Sequence, residues 1–365
     1  MRILYIYSDW KWTGPSQPIV ELCDYMSKHA DVAILTSTPK NLERSLTSHV
    51  ESNKIKITST LIKRGGIVEF FKNRESIKQC IREFQPDIIH TFRVNDLASL
   101  AGDLRQKLIV FTDFAVDLPS FLRRTIWRKA DVITTFSKKI SEILNPKLGN
   151  VVHINPWLNM KAIVQTPHNV SVPNEFMINN KSFIVGLVMR LQPYRRFDLV
   201  IETAKCIKAS GKNIKFLILG RGKARIVKHL KESSEKFGLS DTIIFGGYRK
   251  ADYWDIINCF DVMFYTIPGS DGTARALRQC QAMGKPIICL KNDFLQSIVH
   301  DKVDGFVVGE GPDEIAHSIY RLYDNKNLHS EFSKNSLQQG LSYSLETVGD
   351  KILHLYEERL HLKKG

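Results

Sequence analysis

Residues 182–201, SFIVGLVMRLQPYRRFDLVI, pass from an apolar run through a basic loop into an amphipathic pattern. The run 182–189 has the length of a strand buried on both faces. It stops at Arg190, well short of the 18 or more apolar residues of a membrane span. Pro193, Arg195 and Arg196 then lead to Phe197, Val200 and Ile201, which share one helical face. This is the opening of a βαβ unit, set midway along a chain of 365 residues.

The same alternation extends both ways. Upstream, strands are expected at RILYIY (2–7), DVAILT (31–36), DIIH (87–90), KLIVFT (107–112), DVITTF (131–136) and VVHI (151–154). Between the first two, Ser16 suits a helix cap and Pro18 a first turn, with Ile19, Leu22, Cys23 and Met26 on one face. Downstream, strands are expected at KFLILG (215–220), TIIFGG (242–247), DVMFYT (261–266), PIICL (286–290) and GFVV (305–308), and 311–361 is helical in pattern. The chain exceeds what one hydrophobic core usually organises. It therefore reads as α/β, with two Rossmann-like domains built on parallel sheets. The first spans 1–165 and the second 176–344, joined through the Asn- and Pro-punctuated segment 160–181. A last helix, 345–365, is expected to pack back on the first domain.

Hydrophobic residues at 43% and charged residues at 25% exclude a mainly disordered, collagen-like or coiled-coil chain. Cys23, Cys80, Cys206, Cys259, Cys280 and Cys289 are scattered, as core thiols in a reducing compartment would be. MRILYIYSDW lacks the zones of a signal peptide, so a cytoplasmic protein is expected. The net charge of +14 is uneven: 181–250 carries +11, whereas 251–365 carries −4. Residues 121–139 hold six basic side chains against one acidic. Such fields attract phosphates or an anionic membrane surface, though solubility explains any single cluster equally well. No zinc-finger spacing or RNP-like motif occurs, so nucleic acid is not an expected partner.

In open α/β sheets, ligands bind beyond the carboxyl ends of strands, beside helix N-termini. After strand one, Gly14 either lets backbone amides approach a ligand or is an ordinary turn glycine. No G-x-G-x-x-G follows, and GRGKAR (220–225) supplies only Gly220 and Gly222, which removes most support for a dinucleotide enzyme. Arg190 and Arg195 stand where a diphosphate clamp would. In PGSDGTARALRQCQAMGKPIICL (268–290), Asp271, Gly272 and Thr273 open a helix expected to run to Met283. Asp271 and Gln279, eight apart, share roughly one face. Taken alone, that pair reads at least as well as a helix cap and an exposed amide.

Together these junctions resemble the nucleotide-sugar glycosyltransferases of family 4, which have the GT-B fold of two Rossmann-like domains facing a central cleft. The likeness covers nearly the whole chain and is strongest over 182–310. MRLQPYRR is similar to the family's G-R-L-x-x-x-K-G, with Arg190 matching Arg and Arg195 matching Lys. Gly220-Arg221-Gly222 matches G-x-G, DTIIFGGYRK and FDVMFYTIPGS resemble two family strands, and DGTARALRQCQAMGKPI resembles the helix with two glutamates eight apart. Those glutamates are Asp271 and Gln279 here. The resemblance implies that Asp271 meets donor-sugar hydroxyls and that Gln279 accepts from the ribose. It also implies that Gly272 and Thr273 amides contact the diphosphate, and that backbone near Gly247 and Tyr248 meets the base. His90 matches a frequent family His, and Asp113 replaces another.

The function implied is transfer of a sugar from a nucleoside-diphosphate sugar to a glycan or lipid-linked acceptor, with retention and without a metal. No Asp-x-Asp occurs and no His or Cys shows ligand spacing. Arg190, Arg195 and helix-end amides would take up the leaving group's charge, and Asp113 or His90 would orient the acceptor hydroxyl. No cofactor is expected, and attachment to the cytoplasmic membrane face is a further expectation. Two readings compete: a catalytically impaired nucleotide-sugar-binding partner subunit, and a sugar-nucleotide epimerase on the same plan.

Overall fold

The computed structural model describes residues 1–63, 66–164, 174–179, 181–267 and 273–364. Two compact units emerge. One holds Met1–Leu158 with the C-terminal segment from Ser344. The other holds the described chain from Asn159 to Ile267 and from Ala274 to Tyr343.

The first unit's strands are β1 (Arg2–Tyr7), β2 (Asp31–Ser37), β3 (Lys56–Leu61), β4 (Ile88–Thr91), β5 (Leu108–Asp113), β6 (Val132–Thr135) and β7 (Val151–His153). They form one parallel sheet in the order β3-β2-β1-β4-β5-β6-β7. Its helices are α1 (Gln17–Met26), α2 (Ile67–Phe84), α3 (Val94–Ala98), α4 (Phe121–Trp127) and α5 (Lys138–Leu148). The second unit begins with α6 (Lys161–Val164). Its strands β8 (Phe183–Val188), β9 (Ile214–Leu219), β10 (Ile243–Gly247), β11 (Val262–Tyr265), β12 (Ile287–Leu290) and β13 (Gly305–Val308) are ordered β10-β9-β8-β11-β12-β13. Its further helices are α7 (Phe197–Ala209), α8 (Ala224–Lys236), α9 (Tyr253–Asn258), α10 (Arg275–Ala282), α11 (Asp293–Gln296), α12 (Pro312–Asp324) and α13 (Lys326–Leu341). The last helix, α14 (Leu345–Lys364), belongs to the first unit.

In each sheet the strand order thus reverses beside the first strand, between β1 and β4 and between β8 and β11, the place where open parallel sheets bind ligands at their carboxyl edge. Both sheets are buried on two faces. In the first unit α1 and α14 cover one face, and α2 to α5 cover the other. Tyr25 of α1 lies so close to Gly349 that a Cβ there would meet its ring carbon at 2.6 Å, and the Tyr25 hydroxyl donates to Asp350. Leu345, Val348, Ile352 and Tyr356 complete that core.

Three local expectations are corrected by the fold. Strand β3 is absent from the expected set, because KITSTL is an edge strand whose only apolar residues are the exposed Ile57 and buried Leu61. Ser16 does not cap α1; its hydroxyl instead donates to the Lys11 and Thr13 carbonyls and accepts from the Thr13 amide, closing the preceding loop. Helix α10 starts at Arg275 rather than at Asp271, with Ala274 left-handed before it. All six cysteines are free thiols; Cys23, Cys80, Cys280 and Cys289 are buried and the other two partly so.

Candidate functional site

Four loops meet at the carboxyl edge of the second unit's sheet. The loops after β8 and β9 meet through a bridge between Leu191 and Gly222, and the Gly220 amide donates to the Gly247 carbonyl at 2.7 Å. A Cβ on Gly220 would lie 1.7 Å from the Met189 carbonyl oxygen, and Gly220 sits at φ +149. The G-x-G glycines are therefore needed for close packing of one loop on another. Arg221 lays its guanidinium 4.9 Å from the ring centre of Tyr248, which is exposed. Gly247, at φ +71, lets the chain turn there.

The loops after β8 and β11 interlock at the reversal point. Arg195 donates from Nη1 to the Ile267 carbonyl at 2.6 Å, while the Thr266 hydroxyl donates to the Arg195 carbonyl at 2.9 Å. Arg195 Nε is buried and meets no acceptor among the described residues. Leaving such a donor unmet costs about 1–3 kcal/mol, a cost that an anion reaching Nε would remove. Arg190 is exposed, and no carboxylate among the described residues pairs with it. Arg196 differs from both. It holds φ +53 at the position where the family pattern has glycine, and it pairs with Asp198 at 3.1 Å and Glu310 at 2.5 Å. Those carboxylates neutralise it, leaving Arg190 and Arg195 as the unpaired positive groups of the loop.

Asp271 and Gly272 lie outside the described residues. Thr273 is buried, two residues before α10. Gln279 is buried too, and its Oε1 accepts from the Tyr253 hydroxyl at 2.7 Å. One lone pair of its expected acceptor oxygen is thus taken by a residue that sequence reasoning does not single out; nothing in KADYWDIIN signals that Tyr253 would reach α10. Burial raises the Tyr253 hydroxyl well above its ordinary range, which keeps it a donor.

In the first unit, Gly14 is exposed, with open space around it. Asp113 ends β5 at the sheet's carboxyl edge. Its Oδ1 lies 3.5 Å from Arg123 Nη2, and its Oδ2 is buried without a hydrogen-bond partner among the described residues. Burial raises its pKa, against the lowering effects of Arg123 and the Ala115 amide. His90 belongs elsewhere. It is buried, with Nδ1 2.5 Å from the Tyr356 hydroxyl and Nε2 2.6 Å from the Thr112 hydroxyl. Burial lowers its pKa to about 3, so it is neutral. The expectation that His90 orients an acceptor is corrected on this geometry: Nδ1 joins α14 to the sheet through Tyr356, and Nε2 joins β4 to β5 through Thr112. A second cluster carries no signal in the sequence. Asp9 receives Lys63 at 2.5 Å and lies 3.9 Å from Arg93, which also donates to the Ser8 carbonyl.

Among the described residues, no three His, Cys, Asp or Glu side chains converge as metal ligands would. No helix of these residues is long and apolar enough to cross a membrane.

Comparison with known proteins places this geometry. The family "Glycosyl transferases group 1" matches residues 172–339, and "Glycosyl transferase 4-like" matches residues 2–122, so most of the chain is covered. The chain belongs to the group 1 glycosyltransferases. Solved GT-B members share its fold. A glycosyltransferase from Rickettsia africae has a TM-score of 0.81 at 14% identity, covering 98% of both chains. Anabaena HepE in complex with UDP has a TM-score of 0.81 at 16% identity, covering 98% of this chain and all (100%) of that one. An uncharacterized glycosyltransferase of Methanocaldococcus jannaschii is 22% identical over 256 residues, 68% of this chain and 62% of its own length. The poly(ribitol-phosphate) alpha-N-acetylglucosaminyltransferase of Staphylococcus aureus is 24% identical over 180 residues, 47% of this chain and 35% of its own length. The chain spans less than two thirds of these curated relatives.

Proposed function

We propose that this group 1 glycosyltransferase moves a sugar from a nucleoside-diphosphate sugar to a glycan or lipid-linked acceptor, with retention of configuration and without a metal ion. The observation that carries the reading is Arg195, fixed on the Ile267 carbonyl with its buried Nε unpaired, beside the unneutralised Arg190. As the bond from the sugar's anomeric carbon to the diphosphate oxygen breaks, negative charge grows on the departing phosphate. Arginines already held in place stabilise that charge without reorganising, which is the task a magnesium ion performs elsewhere. The acceptor oxygen then bonds to the anomeric carbon on the face the phosphate leaves, and its proton passes to a departing phosphate oxygen. Asp113, a strand-end carboxylate whose Oδ2 is unpartnered, is the group in the first unit suited to orient that hydroxyl. Asp271, Gly272 and Thr273 would hold the donor sugar and diphosphate. HepE, which binds UDP, supports a nucleoside diphosphate as the ligand class. An anionic membrane surface is the partner that would present a lipid-linked acceptor in a growing polysaccharide.

Calorimetric titration with UDP, GDP and ADP tests this. Binding of one nucleotide, abolished in the Arg190→Ala, Arg195→Ala double variant, is the expected result. Transfer assayed by mass spectrometry should continue at full rate in excess chelator. Because Gln279 is a neutral amide where the family pattern has a carboxylate, and its oxygen already accepts once from Tyr253, an impaired binding subunit is the second reading. Nucleotide binding with no transfer to any acceptor would favour it, and isomerisation of the donor alone would favour an epimerase.

A further inference from the structure

The first unit carries an apolar edge that its own core does not cover. Ile67, Val68 and Phe71, in the opening turns of α2, are 77%, 62% and 58% exposed. Leu118, Phe121 and Leu122, at the start of α4, are 51%, 80% and 71% exposed. Both helices pack on the same face of the sheet, through Ile77, Cys80, Ile81 and Phe84 of α2 and Trp127 of α4. Both begin at the sheet's carboxyl edge, because each follows a strand end: β3 closes at Leu61 and β5 at Asp113. The six apolar side chains therefore belong to two helix starts on one face and one edge of the sheet, where the sequence had no need to place them for folding, and Arg74 of α2 lies near enough to act on Lys129 beyond α4. Large apolar residues on a surface are ordinary singly, but clustered they mark an interaction site.

The charges around them identify the partner. Lys72 and Arg74 follow on α2, and Arg123, Arg124, Arg128 and Lys129 follow on α4 and just beyond it. The acidic residues nearby are largely occupied: Glu69 accepts from the Gly66 amide at 2.7 Å, Glu75 lies 3.9 Å from Lys78, and Asp113 holds Arg123. Asp117 is the exception. Positive charge is crowded there. Burial, and then the charge of Arg74 on α2, hold the Lys129 ammonium below its ordinary pKa. Basic side chains that outnumber the acidic ones, around bulky residues exposed to solvent, match the boundary between anionic headgroups and acyl chains.

We propose that the starts of α2 and α4 together form a docking edge for an anionic lipid bilayer, with Ile67, Phe71, Phe121 and Leu122 entering the acyl boundary. The basic segment 121–139 is then one half of a two-helix device, and the α2 start, which carries no comparable charge run in the sequence, is the other. Arg123 links this edge to Asp113, so a bilayer-bound acceptor would arrive at the strand end where the acceptor hydroxyl is to be oriented. That consequence rests on the transferase reading; the docking itself does not.

The test uses the full chain with vesicles of phosphatidylcholine, alone or with one-third phosphatidylglycerol. Co-sedimentation should be at least tenfold stronger on the anionic vesicles and weaken as salt rises. The Ile67→Ser, Phe71→Ser pair and the Phe121→Ser, Leu122→Ser pair should each reduce binding severalfold, and all four should abolish it. The added fluorescence of a Phe121→Trp variant should be quenched by brominated acyl chains. Absence of wild-type binding to anionic vesicles at low salt would overturn the proposal, as would binding indifferent to the four serines. Self-association that the same serines abolish would overturn it in favour of a second copy of the chain. Nucleotide titration and thermal unfolding of each preparation report on the donor site and the fold separately, so loss of docking is distinguishable from failure of the transferase reading.

Discussion

Arg190 and Arg195 carry the same charge but are held differently, and single substitutions should separate them. Arg190 is exposed and makes no hydrogen bond or ion pair among the described residues, so Arg190→Ala should leave the unfolding temperature unchanged. Nucleotide affinity should fall about 10- to 100-fold, the value of one or two charge-assisted hydrogen bonds. Arg195→Ala should lower both, since it also removes the clasp on the Ile267 carbonyl; titration calorimetry and thermal melts on the two variants decide it. His90 makes a different prediction. Its folded pKa of about 3 lies below the ordinary 6.5 because burial disfavours the charged ring. A depressed base contributes stability that is complete above about pH 6.5 and is lost as pH falls towards 3, where the unfolded chain alone takes up the proton. His90→Gln should flatten the wild type's stability profile between pH 6.5 and 4, measured by urea unfolding. It should also destabilise the protein by about 1–3 kcal/mol at pH 7, through hydroxyls of Tyr356 and Thr112 left poorly matched.

Helix packing sets the position of Gln279. Helices α10 and α13 cross where a Cβ on Gly340 would lie 2.3 Å from the Ala282 Cα. Backbone cannot yield there as a flexible side chain would. Gly340→Val should therefore push α13 off α10 and cost about 1–3 kcal/mol or more, read by chemical unfolding. Nucleotide affinity should drop with it, because α10 carries Gln279 and starts two residues after Thr273. The buried Arg278, stacked 4.5 Å from the Tyr343 ring, braces the same helix.

Across the whole molecule, chain order and unit membership do not coincide. Helix α14 comes last in sequence yet buries Leu345, Val348, Ile352 and Tyr356 in the first unit's core. Four such side chains contribute up to about 6–12 kcal/mol of burial, comparable with the 5–15 kcal/mol by which a typical domain is stable. A fragment of residues 1–158 should therefore fail to fold cooperatively. A fragment of residues 159–343 should show a single unfolding transition, and circular dichroism melts on both check this.

Much of the fold is legible in the amino-acid sequence, for definable reasons. Buried parallel strands are continuous apolar runs, so all but one strand can be read from composition and length. The exception, β3, is a polar edge strand that owes its conformation to pairing with β2. The loop RLQPYRR announces its charges, but three arginines in seven residues look alike in a sequence. Only the fold gives Arg196 to Asp198 and Glu310, fixes Arg195 on Ile267 and leaves Arg190 open. The same holds for His90, whose strand-end position suggests chemistry until Tyr356, 266 positions away, proves to be its partner. Periodicity and local charge are properties of neighbouring residues, and the sequence alone determined what depends on them: strands, helices and a basic loop at the end of β8. Which polar groups are satisfied depends on residues that only folding brings together, and that was decided by the tertiary structure.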